Sequence, residues 1–292
     1  MTDRARPGPR VVALGGGHGL AATLEATRHY AGDVTAIVSG ADDGGSSGRL
    51  RDALGIPPPG DLRRCLVALG EPGSLWQRVF EHRFDAGELE GHPVGNLVIA
   101  GLATSTGDFI AALEEAGRLV GAAGRVLPAT CTPVVLKAET DGSRVEGQVA
   151  VAGTRHISKV SIVPPDAEPP GEALDALGRA EQVVLGPGSL YTSVLAVVAV
   201  PALRDALAST RARKVYVCNL RHQVPETEGY DVAAHVDALS AHGVEVDAVV
   251  CDRRGIAIGD VSVTCVEADV AGPDGVAHDP VKLARALSTL FG

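Results

Sequence analysis

The sequence predicts an α/β protein with a Rossmann-like, doubly wound and mainly parallel sheet and a small antiparallel insertion. Three observations indicate this class. Short apolar runs alternate with helical patterns along most of the 292 residues, as in chains that wind helices over a sheet. Hydrophobic residues make up 45% of the chain but aromatic residues only 3%, so the core consists mainly of small branched side chains, as in buried parallel strands. Glycine-rich loops follow several of the apolar runs.

The N-terminal part of the chain predicts a βαβ unit. The apolar run Arg10–Leu14 is a short strand that ends in glycines, and residues 20–30 have the spacing of a helix. The β-branched run Val34–Ser39 is a second buried strand. Residues 1–9 are polar and contain Pro and Gly, so they predict a flexible tail, whereas residues 10–292 predict a single domain.

Helices are predicted in the next segment. Ile56–Gly60 is rich in proline and therefore stiff and extended. Asp61 directly after it predicts an N-cap for a helix that continues to Leu69. A further helix is predicted to start at Ser74, and a helical pattern covers 96–119.

The C-terminal half alternates strands and helices, apart from a hairpin-like insertion near 134–152, where strands follow one another without a helix. Helical patterns lie at 171–180, 189–208, 231–242 and 280–290. Strands are predicted at Val134–Glu139, Val145–Val151, Val160–Val163, Gln182–Leu185, Val215–Asn219, Val246–Cys251 and Val261–Val266.

Charge, hydropathy and cysteine content exclude several classes of function. The net charge of −10 argues against the cationic surface that duplex nucleic acid requires, so no nucleic-acid partner is expected. No apolar run reaches the ~18 residues of a membrane span, so no membrane insertion is expected. The cysteines are odd in number and scattered, which predicts reduced thiols in a cytoplasmic protein; they are Cys65, Cys131, Cys218, Cys251 and Cys265.

The loop Gly15–Gly19 follows the first strand and opens the first helix. Consecutive glycines leave backbone N–H groups free to bind an oxyanion beside a helix N-terminus. Gly17, Gly19 and Ala22 match only a relaxed dinucleotide fingerprint, G-x-G-x-x-A. The loop therefore predicts a phosphate site, and a tight strand-to-helix turn is the alternative.

The loop Ser39–Gly48 carries two adjacent carboxylates, Asp42 and Asp43, ahead of hydroxyls and glycines. These groups suit a hard cation and a polyphosphate, because Mg²⁺ takes oxygen ligands. Its G-x-S-x-G pattern matches a nucleophile elbow, but the carboxylates separate the pattern from the strand, and a solvated loop is the alternative. Asp61 would complete a magnesium site as a third carboxylate, and Arg63 is a candidate partner for phosphate.

Two later segments are expected to face the same cleft. Gly186–Ser193 repeats the strand-then-glycine arrangement and is a second candidate phosphate cradle, and Asn219 ends the following strand. Gly91–Asn96 places an imidazole and an amide at the start of an apolar helix. Ligands of open α/β sheets bind beyond the carboxyl ends of the strands, where the strand order reverses, so we expect these loops to converge there.

Five segments together resemble the YvcK-type gluconeogenesis factors, which belong with the 2-phospho-L-lactate transferases in the CofD-like superfamily. They run in order over most of the chain, and ADDGGSSGRLR with PPPGD is a specific pair. The resemblance implies a single Rossmann-like domain. The segments are Val12–Leu20, Ala41–Arg51 (ADDGGSSGRLR), Pro57–Arg63 (PPPGDLR), Gly95–Asn96 and Gly186–Ser193 (GPGSLYTS).

For the YvcK-type branch, the resemblance implies binding of UDP-sugars such as UDP-N-acetylglucosamine, with roles in cell-envelope homeostasis and in growth on gluconeogenic carbon. For the transferase branch, it implies a guanine-linked phospholactate donor and a divalent metal near the acidic loop. Metal ligands are then expected at Asp42, Asp43 and Asp61. Ligand contacts are expected at Gly16, Gly17, His18, Gly19, Ser46, Ser47, Arg63, Asn96, Gly188, Ser189 and Asn219.

One segment departs from the family pattern. YvcK-type proteins tend to read Asn-x-Met-Thr-Gln-Pro-Gly-Glu-Thr, whereas Asn219–Thr227 of this chain has Arg221 and His222 at the Met and Thr positions. Arg221 is a candidate phosphate contact, and His222 could be a surface residue without a role. Ligand specificity at that edge therefore stays open.

These observations favour a cytoplasmic regulatory protein that binds a nucleotide sugar, with Mg²⁺ as a candidate cofactor, and that links carbon supply to cell-wall and cell-shape homeostasis. The absence of an evident nucleophile-and-base pair favours binding over turnover. The alternative is a Mg²⁺-dependent transferase that moves a phosphate-linked group from a nucleoside diphosphate donor such as a GDP derivative. An NAD-dependent dehydrogenase is a third hypothesis, although Asp42 is only loosely placed to hold a ribose. Homo-oligomers and cell-wall or signalling partners stay open.

Overall fold

The computed structural model describes residues 8–291, so most of the predicted flexible tail, residues 1–9, lies outside the described residues. A seven-stranded parallel sheet forms the centre of the molecule, and a smaller antiparallel sheet has three strands. The predicted α/β class is confirmed. The strands are β1 Arg10–Gly15, β2 Asp33–Val38, β3 Arg125–Pro128, β4 Val135–Glu139, β5 Arg144–Glu146, β6 Lys159–Val163, β7 Gln182–Leu185, β8 Arg213–Val217, β9 Ala248–Asp252 and β10 Thr264–Ala268.

The strand order of the large sheet reverses between two neighbouring strands. The order is β10-β9-β8-β7-β1-β2-β3, so β7 is the central strand and β1 lies beside it in the interior of the sheet. Leu14 of β1 stands opposite Ile37 of β2 and Leu185 of β7. The chain builds outward from β1 to β3 and then returns to β7 on the other side of β1. The boundary between β1 and β7 is therefore the point where the strand order reverses, as in Rossmann-like sheets.

Side chains of the strands alternate between two hydrophobic layers, one on each face of the sheet. Val12 and Leu14 of β1 pack in one layer, and Val11 and Ala13 in the other. Because helices cover both faces, the strands are almost continuously apolar. The helices are α1 Gly17–Thr27, α2 Gly45–Leu54, α3 Pro59–Leu69, α4 Leu75–Glu81, α5 Val94–Thr106, α6 Phe109–Val120, α7 Gln148–Ala152, α8 Gly171–Arg179, α9 Leu195–Val198, α10 Pro201–Ser209, α11 Val232–Ala241 and α12 Pro280–Ser288.

The antiparallel insertion has the strand order β5-β4-β6. The predicted strand Val145–Val151 is wrong in its second half, because β5 ends at Glu146 and the chain turns into α7. Gly147 has φ +94°, a conformation that breaks a strand and favours glycine. The apolar run after Gly147 packs as one short helix against β4 and β5 instead.

Two predictions around the acidic loop are also wrong. The segment predicted to remain a loop as far as Gly48 already turns into α2 at Gly45. Asp61 does not cap α3, because Pro58 is the N-cap residue and Asp61 lies in the first helical turn. Proline suits the first turn of a helix, where its missing N–H costs no hydrogen bond, so α3 begins earlier than the carboxylate suggests.

Helices predicted as continuous are interrupted. The pattern at 96–119 forms two helices, because Gly107 ends α5 with φ +69° and the Asp108 side chain caps α6.

Strand β3, a short segment that ends in proline, was not predicted. It continues the sheet beyond β2 and forms its edge.

The predicted helix at 189–208 consists of a π-helical turn, Leu190–Val194, followed by α9 and α10. Pro201 begins α10 and cannot continue the preceding helix. Within residues 8–291, no single helix is both long and apolar enough to cross a membrane. By length and composition alone, the bent pair formed by the π-helical turn with α9 and by α10 meets that test.

Candidate functional site

A cleft of about 480 Å³ lies at the carboxyl ends of β1 and β7, where the strand order reverses. Its walls come from the loops after β1, β2 and β7 and from the starts of α2, α3 and α5. The structure thus brings both predicted phosphate loops and the acidic loop to one place. The predicted site residues that line the cleft are Gly16, Gly17, His18, Gly19, Asp42, Ser46, Ser47, Asp61, Arg63, Asn96, Gly188 and Ser189.

The loop after β1 exposes backbone N–H groups at the start of α1. Gly16 is the N-cap residue in an extended conformation, and as a glycine it has no side chain with which to cap the helix. Gly17 follows with φ +63°, which favours glycine. A Cβ atom on Gly16 would lie 2.6 Å from Asp61 Oδ2, so Asp61 can approach only a glycine at this position. The N-terminus of α1 therefore offers its N–H donors to an anion in the cleft.

Asp61 connects this N-terminus to the acidic loop. Arg64 Nη1 donates a 2.7 Å hydrogen bond to Asp61 Oδ1, and the Gly17 N–H also donates to the carboxylate. Burial raises the pKa of the Asp61 carboxyl, Arg64 lowers it, and the neighbouring Asp42 carboxylate raises it. Two carboxylates beside a phosphate cradle repel one another and the phosphate unless a cation lies with them. Their hard oxygen atoms suit Mg²⁺.

The third predicted metal ligand, Asp43, faces the insertion. Its Oδ2 accepts from the Gln148 N–H at 2.9 Å, and its Oδ1 accepts from the Val149 N–H at 3.0 Å. Across residues 8–291, no group of three or more His, Cys, Asp or Glu side chains is placed to hold a metal ion. The cleft therefore offers a cation two carboxylates, Asp42 and Asp61, while Asp43 holds the N-terminus of α7 so that Gln148 lines the cleft.

Replacing Asp43 with alanine is expected to weaken nucleotide binding to the same extent with and without Mg²⁺, because the change releases Gln148 rather than a metal ligand. Loss of the α7 cap is expected to lower the free energy of unfolding by about 1 kcal/mol, measured by urea denaturation. Titration calorimetry with UDP, with and without Mg²⁺, checks the binding. An Asp42→Ala variant is the matched control, and it should lose UDP affinity only when Mg²⁺ is present. If the Asp43 variant loses UDP affinity only in the presence of Mg²⁺, Asp43 is a cation ligand and its assignment as the cap of α7 is contradicted.

Arg63 is a buried cation that forms no salt bridge within residues 8–291, although the nearby Glu81 and Asp61 carboxylates raise its pKa. It is 6% exposed, its Nε donates to Asn96 Oδ1 at 3.1 Å, and its Nη1 donates to the Phe80 carbonyl at 3.3 Å. Burial, with Arg64 and Arg83 nearby, lowers its pKa to about 10, so the guanidinium remains charged at neutral pH. A buried charge of this kind requires a partner of opposite sign. An anion in the cleft would supply it.

A chain of hydrogen bonds extends from Arg63 to His92. Asn96 accepts from Arg63 and donates from Nδ2 to Ser46 Oγ at 3.0 Å, and Ser46 Oγ lies 2.8 Å from His92 Nδ1. Burial, with Arg49 and Arg83 nearby, lowers the pKa of His92, so the imidazole is neutral at neutral pH. The sequence suggested His92 and Asn96 as polar groups at the start of an apolar helix. The structure places both beside Ser46.

Side chains of the protein itself bind the second glycine loop, Gly186–Ser193. The buried Glu226 carboxylate accepts from the N–H groups of Tyr191 and Thr192 at 2.7 and 3.2 Å and from Thr192 Oγ1 at 3.2 Å. Burial raises the pKa of Glu226, and these hydrogen bonds lower it. Ser189 accepts from Gln223 Nε2 at 3.1 Å. The second candidate phosphate cradle therefore has the N–H groups of Tyr191 and Thr192 already engaged by Glu226.

Two predicted ligand contacts lie beside the cleft. Asn219 accepts from the Gly188 N–H at 3.0 Å and donates to the Gly188 carbonyl at 2.9 Å. Arg221 Nη2 donates to the Asp274 carbonyl at 3.3 Å. Asn219 and Arg221 line an adjoining cavity. Arg64, Arg83, Gln148 and Gln223 also line the cleft, although none of them was among the predicted site residues. Arg83 and Gln148 lie in segments without a recognisable pattern, whereas Gln223 matches the Gln of the family segment at Asn219–Thr227.

Comparisons with known proteins agree on one family. The family model of 2-phospho-L-lactate transferase CofD matches residues 11–285. A Mycobacterium leprae protein named "putative gluconeogenesis factor" is 45% identical over 309 residues, which cover 96% of this chain and 85% of that protein. The gluconeogenesis factor of Halalkalibacterium halodurans is 45% identical over 236 residues, which cover 80% of this chain and 73% of that protein.

A solved structure supports the same assignment. The crystal structure of a UPF0052 family protein from Bacillus halodurans has a TM-score of 0.91 and 35% identity to this chain, and the match covers 97% of this chain and 99% of that one. The matches extend over nearly the whole chain, far beyond the glycine loops, and the family expected from the motifs is confirmed. The chain therefore belongs to the CofD family, among relatives named gluconeogenesis factors.

Proposed function

We propose that this protein binds a nucleotide sugar of the UDP-N-acetylglucosamine type and acts as a cytoplasmic regulator. In this role it links growth on gluconeogenic carbon to cell-wall and cell-shape homeostasis. The observation that carries the proposal is the combination, in one cleft, of the N–H groups at the start of α1 that Asp61 does not engage with the buried Arg63, which forms no salt bridge among the described residues. The names of the relatives support the metabolic part of the proposal.

The chemistry of the cleft fits a diphosphate. Helix N-termini and guanidinium groups are the usual partners of phosphate oxygens. Arg63, Arg64 and Arg83 all line the cleft, and its volume of about 480 Å³ accommodates a diphosphate with a sugar. Asp42 and Asp61 would hold Mg²⁺, which would offset the negative charge of the diphosphate.

The side of the cleft near the insertion is polar. Ser46, Asn96 and Gln148 line it and carry hydroxyl and amide groups that can exchange hydrogen bonds with sugar hydroxyls. A sugar attached to the diphosphate would lie on this side. The Asp43 carboxylate, which holds the N-terminus of α7, would then control sugar binding indirectly through Gln148.

A transferase is the second candidate, because Ser46 lines the cleft and its Oγ lies 2.8 Å from Nδ1 of the buried His92. A neutral imidazole can take a proton from a hydroxyl group, and the matching family model is that of a transferase. In this alternative, Ser46 takes a proton from an acceptor hydroxyl while it passes its own proton to His92, and Arg63 and the remaining α1 N–H groups hold the departing phosphate.

Titration calorimetry of UDP-N-acetylglucosamine, GDP and NAD, each with and without Mg²⁺, tests the proposal. We expect saturable binding of UDP-N-acetylglucosamine, tighter with Mg²⁺, and complete recovery of the unchanged ligand by chromatography. Preference for GDP with Mg²⁺ would favour the transferase, and preference for NAD would favour a dehydrogenase. Absence of binding by all three would overturn the assignment of the cleft to a nucleotide.

A further inference from the structure

Ser46 belongs to a motif that nucleotide binding does not explain. Its segment Gly44–Gly48 matches the G-x-S-x-G pattern of a nucleophile elbow, although two carboxylates separate the pattern from the preceding strand. In the structure, α2 begins at Gly45, so Ser46 is the second residue of that helix. A Cβ atom on Gly48 would overlap with the Asp43 carbonyl oxygen, so this position requires glycine. The motif therefore places a serine in the first turn of α2, where it lines the cleft.

The hydroxyl group of Ser46 has a base as its acceptor. Arg63 Nε donates to Asn96 Oδ1 at 3.1 Å, which fixes the orientation of the amide, and Asn96 Nδ2 then donates to Ser46 Oγ at 3.0 Å. The other partner of Ser46 Oγ is His92 Nδ1 at 2.8 Å. Of these two partners, only Nδ1 can accept the hydroxyl proton. Because burial lowers the pKa of His92, the imidazole is neutral and can take that proton.

Ser46 and His92 form a nucleophile-and-base pair that the sequence does not reveal, because the two residues lie 46 positions apart. Their exposed fractions are 7% and 8%, so the pair is not a solvated surface contact. Ser46 lines the cleft, whereas His92 is not among the lining residues. A group bound in the cleft therefore contacts the Ser46 hydroxyl rather than the imidazole.

The surroundings of Ser46 fit a phosphoryl group. Gly44 is the N-cap residue of α2 and has no side chain, and the first N–H groups of the helix have no partner within it. Arg63 and Arg83 line the same cleft, and the buried Arg63 forms no salt bridge among the described residues. Helix N–H groups and guanidinium groups stabilise the negative charge of phosphoryl oxygen atoms. A phosphoryl group carries more of this charge than an acyl group, so these donors favour a phosphorus electrophile.

We propose that Ser46 is a nucleophile that accepts the terminal phosphoryl group of a phosphoanhydride bound in the cleft, with His92 as its base. Ser46 Oγ forms a bond to phosphorus, and the bond from phosphorus to the bridging anhydride oxygen breaks. The leaving carboxylate or nucleoside monophosphate keeps the electron pair of that bond. The hydroxyl proton passes to His92 Nδ1 and from there to solvent. Unlike in the transferase alternative, Ser46 itself is the acceptor.

The inference rests on the proposed function in one respect, because the cleft must bind phosphate groups. A nucleotide sugar has no terminal phosphoryl group, so it binds without donating one and is recovered unchanged. The phosphoserine, in contrast, would carry its phosphate among the donors that a diphosphate needs. Phosphorylation of Ser46 would therefore exclude the nucleotide from the cleft.

Two phosphoanhydrides test the proposal, acetyl phosphate and UDP, each incubated with the whole protein and Mg²⁺. Mass spectrometry of the intact chain and of its peptides is expected to find one phosphoryl group, on Ser46, and the donor that reacts identifies the leaving group. Ser46→Ala should not be phosphorylated. His92→Gln should react at least about 100-fold more slowly, because its amide can accept the hydroxyl hydrogen bond but cannot take the proton. Ser105→Ala, at an exposed serine of α5 outside the cleft, is the control and should react normally.

Binding of pyrophosphate separates the possible failures. Both variants should still bind it, which shows that the cleft is intact, and the phosphorylated protein should not. Reaction at other residues in place of Ser46, an equal rate for His92→Gln, or normal pyrophosphate binding after phosphorylation would each overturn the proposal. If neither donor reacts but the unsubstituted protein binds pyrophosphate, only this inference fails. If the protein also fails to bind pyrophosphate, the proposed function fails with it.

Discussion

Replacing Asp61 with asparagine is expected to weaken Mg²⁺-dependent UDP binding by at least about 100-fold. The substitution keeps the size of the side chain and its contact with Arg64, but it removes one of the two carboxylates that the cleft offers to a cation. Titration calorimetry with UDP over a range of Mg²⁺ concentrations measures the effect.

Without Mg²⁺, the Asp61→Asn variant should not lose affinity for phosphate groups. Asp61 lies at the glycine N–H groups of α1, so its negative charge opposes a phosphate there. Asp61→Asn should therefore bind pyrophosphate as well as the unsubstituted protein, or more tightly, when EDTA is present. Asp52→Asn, at an exposed carboxylate at the end of α2, is the control. Equal losses of affinity with and without Mg²⁺ would contradict a role for Asp61 as a cation ligand.

Replacing Gly19 with alanine is expected to abolish nucleotide binding and to lower the free energy of unfolding by about 1–3 kcal/mol. A Cβ atom at this position would lie 2.4 Å from the Pro187 carbonyl oxygen and 2.7 Å from Gly188 Cα. Both contacts are with backbone, which cannot rotate away as a side chain can. The loops after β1 and β7 would have to separate, and the cleft would change shape.

A glycine elsewhere provides the matched control. Gly101 lies inside α5, and a Cβ atom there would have no neighbour within 4 Å. Gly101→Ala should raise the free energy of unfolding by up to about 1 kcal/mol, because alanine favours a helix more than glycine does, and it should leave UDP affinity unchanged. Urea denaturation and calorimetry on both variants check these results. Normal UDP binding by Gly19→Ala would show that the close approach of the two loops is not needed.

The sequence was sufficient to predict the sheet and the location of the cleft. Buried parallel strands such as β1 and β2 leave long apolar runs, and loops at their carboxyl ends must meet at one edge of the sheet. The sequence was insufficient where a short segment depends on a distant partner. The run after Gly147 reads as a strand from its valines, but it forms a helix whose first N–H groups bind Asp43, about a hundred residues earlier in the chain.

The same reason explains why the assignment of site residues was only partly possible. Adjacent carboxylates in a glycine-rich loop look equivalent in the sequence, yet Asp42 lines the cleft and Asp43 caps α7. The turn into α2 sets the directions of the Asp42 and Asp43 side chains, and α2 was not predicted.

Glu226 makes the two glycine loops differ in their ability to bind a phosphate. The two glycine loops have similar sequences and meet at the same edge of the sheet, so each looks like a place for a phosphate. At the second loop, however, the protein supplies its own anion, because the Glu226 carboxylate already occupies the N–H groups at the start of the π-helical turn. An incoming diphosphate is left with the arginines of the cleft and with the α1 N–H groups that Asp61 does not engage. A ligand with a phosphate at only one end is therefore expected to place that end at α1 rather than at the second loop.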